Sequence, residues 1–219
     1  MKDGLDRRAS LGPMIAAVDQ AADDDALRAE HLLHLRCEVT NPELLSLLEP
    51  HVDNPRLRLL SVMDHTPGQR QTADLGAMQA RLRESGHSET EVQEIMAQRH
   101  RGRDPSAAHA NRRSVVALAH EFGVPLCAHD DATTQQVDEA HADGCVIAEF
   151  PVSLEAARAS RGYGMAICMG GPNFVRGASH SGNLSARDAA REDLLDILAS
   201  DYVPLSMLRS AFMLIDDGA

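Results

Sequence analysis

Leu57–His65 reads "LRLLSVMDH", a near-continuous apolar run that ends in an aspartate and a histidine. Such a run, too short for most helices, fits a strand covered on both faces. Its polar end then falls at the strand's C-terminal tip. The pattern recurs at His31–Val39 "HLLHLRCEV", Val124–His129 "VPLCAH", Gly144–Phe150 "GCVIAEF", Gly164–Met169 "GMAICM" and Ile197–Tyr202 "ILASDY". Helical patterns separate these runs, at Leu11–Ala22, Thr90–Arg101, Ala107–Phe122, Thr133–Ala142, Leu154–Ser160 and Ala186–Leu195. Prolines 42, 67, 105, 151 and 172 punctuate strand ends and helix starts.

Strand–helix alternation predicts an α/β fold with a parallel sheet, either open or closed as a barrel. The strand ends choose between these. Glu38, His65, His129, Asn173 and Asp201 lie at the C-terminal ends of different strands. A TIM-type (β/α) barrel brings all those ends to one mouth, whereas an open sheet offers one crevice at its switch point. The barrel is favoured, but incomplete: six strands are legible where eight are needed. The expectation is one partial barrel domain over residues 1–219. A helical insertion at about 72–104 overhangs its mouth, because that stretch is long for a connection and carries a capping-box-like "SETE" at Ser88.

Bulk properties narrow the function. Hydrophobic residues make up 43% of the 219 and charged residues 25%, as in ordinary globular proteins. The net charge of −12 argues against nucleic acid and against an anionic membrane as partners. Aromatics at 3%, with no tryptophan, leave no base-stacking platform. No apolar run approaches membrane-span length, and "MKDGLDRRAS" has no signal-peptide core. Cys37, Cys127, Cys145 and Cys168 form no CxxC pair and sit in or beside apolar runs. Buried, reduced thiols and a cytoplasmic location are expected.

Glu38, His65, His129 and Asp201 are donors of the kind that hold zinc or a similar divalent ion. Each alone reads more readily as a cap or turn residue; four at one sheet edge favour a metal site. Asp201, at the end of the last strand, is suited to accept a proton from metal-bound water. Met169–Asn183, "MGGPNFVRGASHSGN", reads either as an ordinary surface loop or as one whose glycines admit a ligand and whose Arg, His, Ser and Asn hold phosphate or carboxylate oxygens.

Six segments, "HLLHLRCEV", "SVMDHTPGQRQ", "CAHDDAT", "AEFPVS", "MGGPNFVRGASHSGN" and "ASDYVP", together resemble the PhnM family of the amidohydrolase superfamily, from about Leu27 to Phe212 and in order. The family is α-D-ribose 1-methylphosphonate 5-triphosphate diphosphatase of the carbon–phosphorus lyase pathway of phosphonate use. The resemblance implies a metal-dependent hydrolase that cuts the triphosphate between its α and β phosphates and releases pyrophosphate. It implies two divalent ions, zinc by expectation. Glu38 would bridge them, His65 and His129 would complete the shell, and Asp201 would activate water. It also implies that Gln69, Arg70, Asn173, Arg176, His180 and Ser181 face the phosphate or phosphonate oxygens.

The resemblance is incomplete at the front. The family's first strand, with its histidine-and-aspartate metal motif, and its second strand have no counterpart here. Either the chain is part of a longer protein, or it completes its barrel by pairing, which would make it a homo-oligomer. Two alternative readings are another amidohydrolase, such as an amino-sugar deacetylase, and a catalytically inactive scaffold or partner subunit.

Overall fold

The computed structural model describes residues 7–72, 74–100, 103–179 and 182–216. Helix α1 (Arg7–Asp23) precedes β1 (Leu33–Glu38), α2 (Leu44–Leu48) and β2 (Leu57–Met63). Then come α3 (Leu75–Glu84), α4 (Glu89–His100), α5 (Ala108–Phe122), β3 (Leu126–His129), α6 (Thr134–Ala142), β4 (Cys145–Glu149) and α7 (Leu154–Gly162). The chain continues through β5 (Ala166–Gly170), α8 (Gly171–Arg176), α9 (Ala186–Arg191), β6 (Ile197–Ala199) and α10 (Leu205–Asp216).

The strands pair in parallel in the order β1-β2-β3-β4-β5-β6. Right-handed crossovers that always advance one strand put the connecting helices on one face and curl the sheet. A doubly wound sheet would reverse its order at some point; this one never does. The result is a six-stranded half-barrel, with β1 and β6 each paired on one side only among the described residues.

The two sheet faces differ in chemistry. Leu35, Cys37, Leu60, Val62, Leu126 and Ala128 join Val115 and Ala119 of α5, Val137 and Ala140 of α6 and Leu44 and Leu48 of α2 in one buried cluster. Ile167 and Met169 of β5 join Phe174, Ala186 and Ala189 in a second. Burying each large apolar side chain stabilises the fold by about 1.5–3 kcal/mol relative to leaving it in water. The opposite face carries His34, Arg36, Ser61, His129 and Glu149, which bond to one another.

Helix starts follow local capping. Thr133 and Ser153 accept from the backbone N–H three residues on, at the heads of α6 and α7. At α4, Ser88 N–H donates to Glu91 Oε2 (2.8 Å) while Glu91 N–H donates to Ser88 Oγ (3.3 Å). This is the capping box expected at Ser88. Residues 72–104 are largely helical, as α3 and α4. The stretch closes at the C-terminal end of β1, where Asp104 N–H donates to Thr40 O (2.6 Å) and Arg103 pairs with Glu38 (3.2 Å).

The first half of the expected loop over 169–183 is instead strand end and helix, through Arg176. Gly170 ends β5 and caps α8, Pro172 fixes its first turn, and Gly177 closes it at φ +79°. Gly171 has a packing role rather than a ligand-facing one: a Cβ there would meet Ser206 Oγ of α10 at 2.6 Å. No helix among the described residues is long and apolar enough to cross a membrane.

Candidate active site

The C-terminal strand ends gather titratable side chains in a small volume. Backbone conformation there is unusual. Arg70, Asp130, Phe150 and Asp201 hold φ between +48° and +58° just past β2, β3, β4 and β6. Non-glycine residues tolerate this region at a cost and collect at functional sites.

His65, His129 and Asp130 each place one ligand atom within 4.8 Å of the others. Asp130 Oδ2 lies 3.5 Å from His65 Nε2 and 3.4 Å from His129 Nε2. Asp130 is 2% exposed, and neither of its carboxylate oxygens has a hydrogen-bond partner. A buried carboxylate that no hydrogen bond satisfies is expensive unless a cation sits beside it, whether a protonated imidazole or a metal ion. Two imidazole nitrogens and a carboxylate are also the donor set that suits zinc and similar divalent ions. The residues present therefore fit a divalent cation.

Each histidine is held from behind. His65 Nδ1–H donates to Glu38 Oε2 (2.6 Å), and Glu38 Oε1 accepts from His65 N–H (3.1 Å) and Thr40 Oγ–H (2.7 Å). Burial opposes the charged form of His65, but the Asp130 and Glu38 carboxylates outweigh it and raise the imidazole to about 9. Burial likewise opposes Glu38, yet the bonds from His65 and Thr40 hold its carboxyl at about 2. His129 Nδ1–H donates to Glu149 Oε2 (2.7 Å), its cross-strand neighbour. That bond fixes the tautomer so that Nε2 carries the lone pair. Arg36 Nη2 donates to the same Nε2 at 3.0 Å. Behind Glu149, Ser61 donates to Oε2 (2.9 Å) and accepts from His34 Nε2 (2.5 Å). The bond from His129 outweighs burial and brings Glu149 to about 2.

The expected site residues divide on this geometry. His65 and His129 converge as expected. Glu38 is engaged as the support of His65, with Thr40 and Arg103 on its other oxygen, and lies outside the three-donor group. Asp201 is exposed and lines a cavity of about 60 Å³ together with Asp130, Asn173, Arg176 and Tyr202. It stands at the same mouth but outside the group. Among the described residues the four expected ligands therefore do not form one cluster, and Asp130 is the third member of the candidate group.

The expected phosphate ligands are more scattered. Arg70 is buried, and its Nη1 donates to His129 O (3.1 Å) and to Asp131 Oδ1. Through Nη1 it braces the loop after β3, and it also lines the cavity that Gln69 lines. Asn173 uses both ends of its amide internally, donating to Leu184 O (3.0 Å) and accepting from Ala186 N–H (3.0 Å). Gln69 lines a larger cavity, of about 580 Å³, between the loop after β2, α5 and the head of α6. Arg176 is exposed, donating to Ala178 O (3.2 Å) and Tyr202 Oη (3.5 Å). His180 and Ser181 lie outside the described residues.

Asp130 and Glu149 were missed. Asp130 follows His129 directly in "CAHDD", and a turn residue after a strand-end histidine was open to the same reading. Glu149 lies in register with His129 on the neighbouring strand, which sequence alone does not display.

No family model matches the chain, and no solved structure matches it significantly. A curated protein does: α-D-ribose 1-methylphosphonate 5-triphosphate diphosphatase of Escherichia coli (strain K12) is 43% identical over 221 residues. The resemblance carried by the six motifs is borne out. The match takes in 99% of this chain and 57% of that protein, so the chain spans little more than half of the relative's length. Along nearly all of its residues, the chain is thus similar to one stretch of that diphosphatase.

Proposed function

We propose that this chain carries the metal-binding centre of a diphosphatase, in an incomplete barrel of the amidohydrolase kind. Its substrate is a ribose 5-triphosphate with a methylphosphonate at C1, cut between the α and β phosphates. A water oxygen bonds to phosphorus, the bridging P–O bond breaks, pyrophosphate departs and the ribose 5-phosphate remains. The observation that supports this most is the buried carboxylate of Asp130, satisfied by no hydrogen bond, between two strand-end histidines. The relative's activity gives the substrate class.

His65, His129 and Asp130 would hold a divalent cation, zinc by its donor chemistry, and Glu38 and Glu149 would orient the two imidazoles. When bound, such an ion supplies Lewis acidity and acidifies water. Asp201, exposed on the wall shared with Asp130, would take the proton from the attacking water. Arg176, on the rim of the same cavity, would meet phosphate oxygens. Gln69 would reach the substrate from the neighbouring cavity, and Asn173 would shape the wall. In a chain of net charge −12, such local cations are what a polyanionic substrate requires. The four cysteines are free and buried, in keeping with a cytoplasmic enzyme. Arg176 favours the phosphorylated substrate over an amino sugar. Phosphorus NMR of the purified chain with zinc and the triphosphate tests the reading. Pyrophosphate and the 5-phosphate should appear together; release of orthophosphate alone, or no turnover by zinc-loaded protein, counts against it.

A further inference from the structure

Helix α10 is built inside out. Ser206 and Ser210 face the protein, 5% and 0% exposed, and Ser210 Oγ–H donates to Gly171 O at 3.1 Å. Small residues on this side let α10 lie close against α8. The large apolar residues face away: Leu205, Leu208, Phe212 and Ile215 are 81%, 63%, 62% and 74% exposed. Their spacing of three, four and three is that of a helix seam made to pack against another helix. Tyr202, Val203 and Met207 extend the patch toward the mouth, with exposures from 40% to 60%. Seven such side chains present on the order of 800 Å², beyond the largest apolar patch of most monomers and near one partner's share of a stable interface.

We propose that this face binds a second copy of the chain, α10 against α10 across a two-fold axis. A two-fold interface needs only one self-complementary patch, and a three-four-three seam is complementary to itself. The helix has only two charged residues, Arg209 and Asp216. An antiparallel crossing turns Arg209 of one copy toward the Asp216 end of the other. A charged peptide would find little on this face to recognise, and a net charge of −12 disfavours an anionic lipid surface. The contact reaches the candidate site. Tyr202 stands in the patch, accepts from Arg176 at 3.5 Å, and lines the cavity that holds Asp130 and Asp201. Dimerisation therefore buries one flank of the loop that carries Asp201.

Sedimentation equilibrium of the whole chain, up to about 200 μM, measures the association. A species of twice 23.7 kDa is expected, and added salt should strengthen it because the two copies repel at long range. Leu208→Glu and Phe212→Glu alter exposed positions and should fold normally by circular dichroism. Each should weaken the dimer at least about thirtyfold, as loss of a central anchor does. Met14→Glu, on the exposed face of α1, should leave it unchanged. A chain that stays monomeric over the whole range overturns the proposal. So does a dimer that survives both α10 substitutions, which would place the contact at the free edges of β1 or β6.

Discussion

Metal uptake should expel a proton from His65, and Glu38 should decide how many protons leave at neutral pH. In the metal-free chain the carboxylates of Asp130 and Glu38 raise His65 to about 9, well above its ordinary 6.5. The sign follows: the charged imidazole stabilises the metal-free fold below about pH 6.5, and that stability is lost as pH rises through about 9. At pH 7 only about one molecule in a hundred has a neutral His65, so freeing Nε2 costs about 2.7 kcal/mol. Zinc affinity should therefore rise about tenfold per pH unit from 7 to 9 and then level off, with about one proton released per ion at pH 7. Glu38→Gln removes the carboxylate 2.6 Å from Nδ1, so His65 falls from about 9 toward its ordinary value, with Asp130 alone still raising it against burial. Proton competition falls by up to about a hundredfold, while loss of the orienting carboxylate weakens binding by about ten- to a hundredfold. The affinities nearly cancel, so the proton count is the readout. Titration calorimetry at pH 7 in buffers of different ionisation enthalpy measures it. A wild-type chain that releases no proton, or a Glu38→Gln chain that releases as many as wild type, refutes the reasoning.

Three further outcomes follow from named contacts. Asp201→Asn keeps size and most hydrogen bonding but cannot take a proton. Turnover in steady-state assays should fall by about 10²–10⁴ with zinc affinity unchanged. Arg70→Ala strands Asp131 in the interior, which should cost about 3–5 kcal/mol in urea unfolding, and the pair Arg70→Leu with Asp131→Leu should recover much of it. Gly171→Ala drives a methyl group into Ser206 and the backbone of α10, with expected destabilisation of about 1–3 kcal/mol by the same assay; an unchanged midpoint would show that α10 moves freely on α8.

The half-barrel was legible because buried parallel strands leave a strong trace: six apolar runs, each closed by polar residues, became six strands in the same order. Met169–Asn183 misled because Gly-Gly-Pro-Asn is loop-like by composition, whereas Phe174, 1% exposed, anchors it as a helix turn. At the site, His65 and His129 stood out as strand-end histidines. Nothing local reveals that Arg70 pairs with Asp131, 61 residues on. The inward row of β1, His34, Arg36 and Glu38, alternates with a period of two inside a run that reads from the sequence only as an apolar strand. Its meaning needed the neighbouring strands, since Ser61, His129 and Glu149 complete the network only through register.

Anomalous diffraction at the zinc edge, from crystals of the zinc-loaded chain, tests the central assignment most directly. A peak is expected about 2.0–2.2 Å from His65 Nε2, His129 Nε2 and an Asp130 oxygen, with Arg36 withdrawn from His129. An ion bound by Glu38 and Asp201, with the Asp130 carboxylate still unliganded, would contradict it.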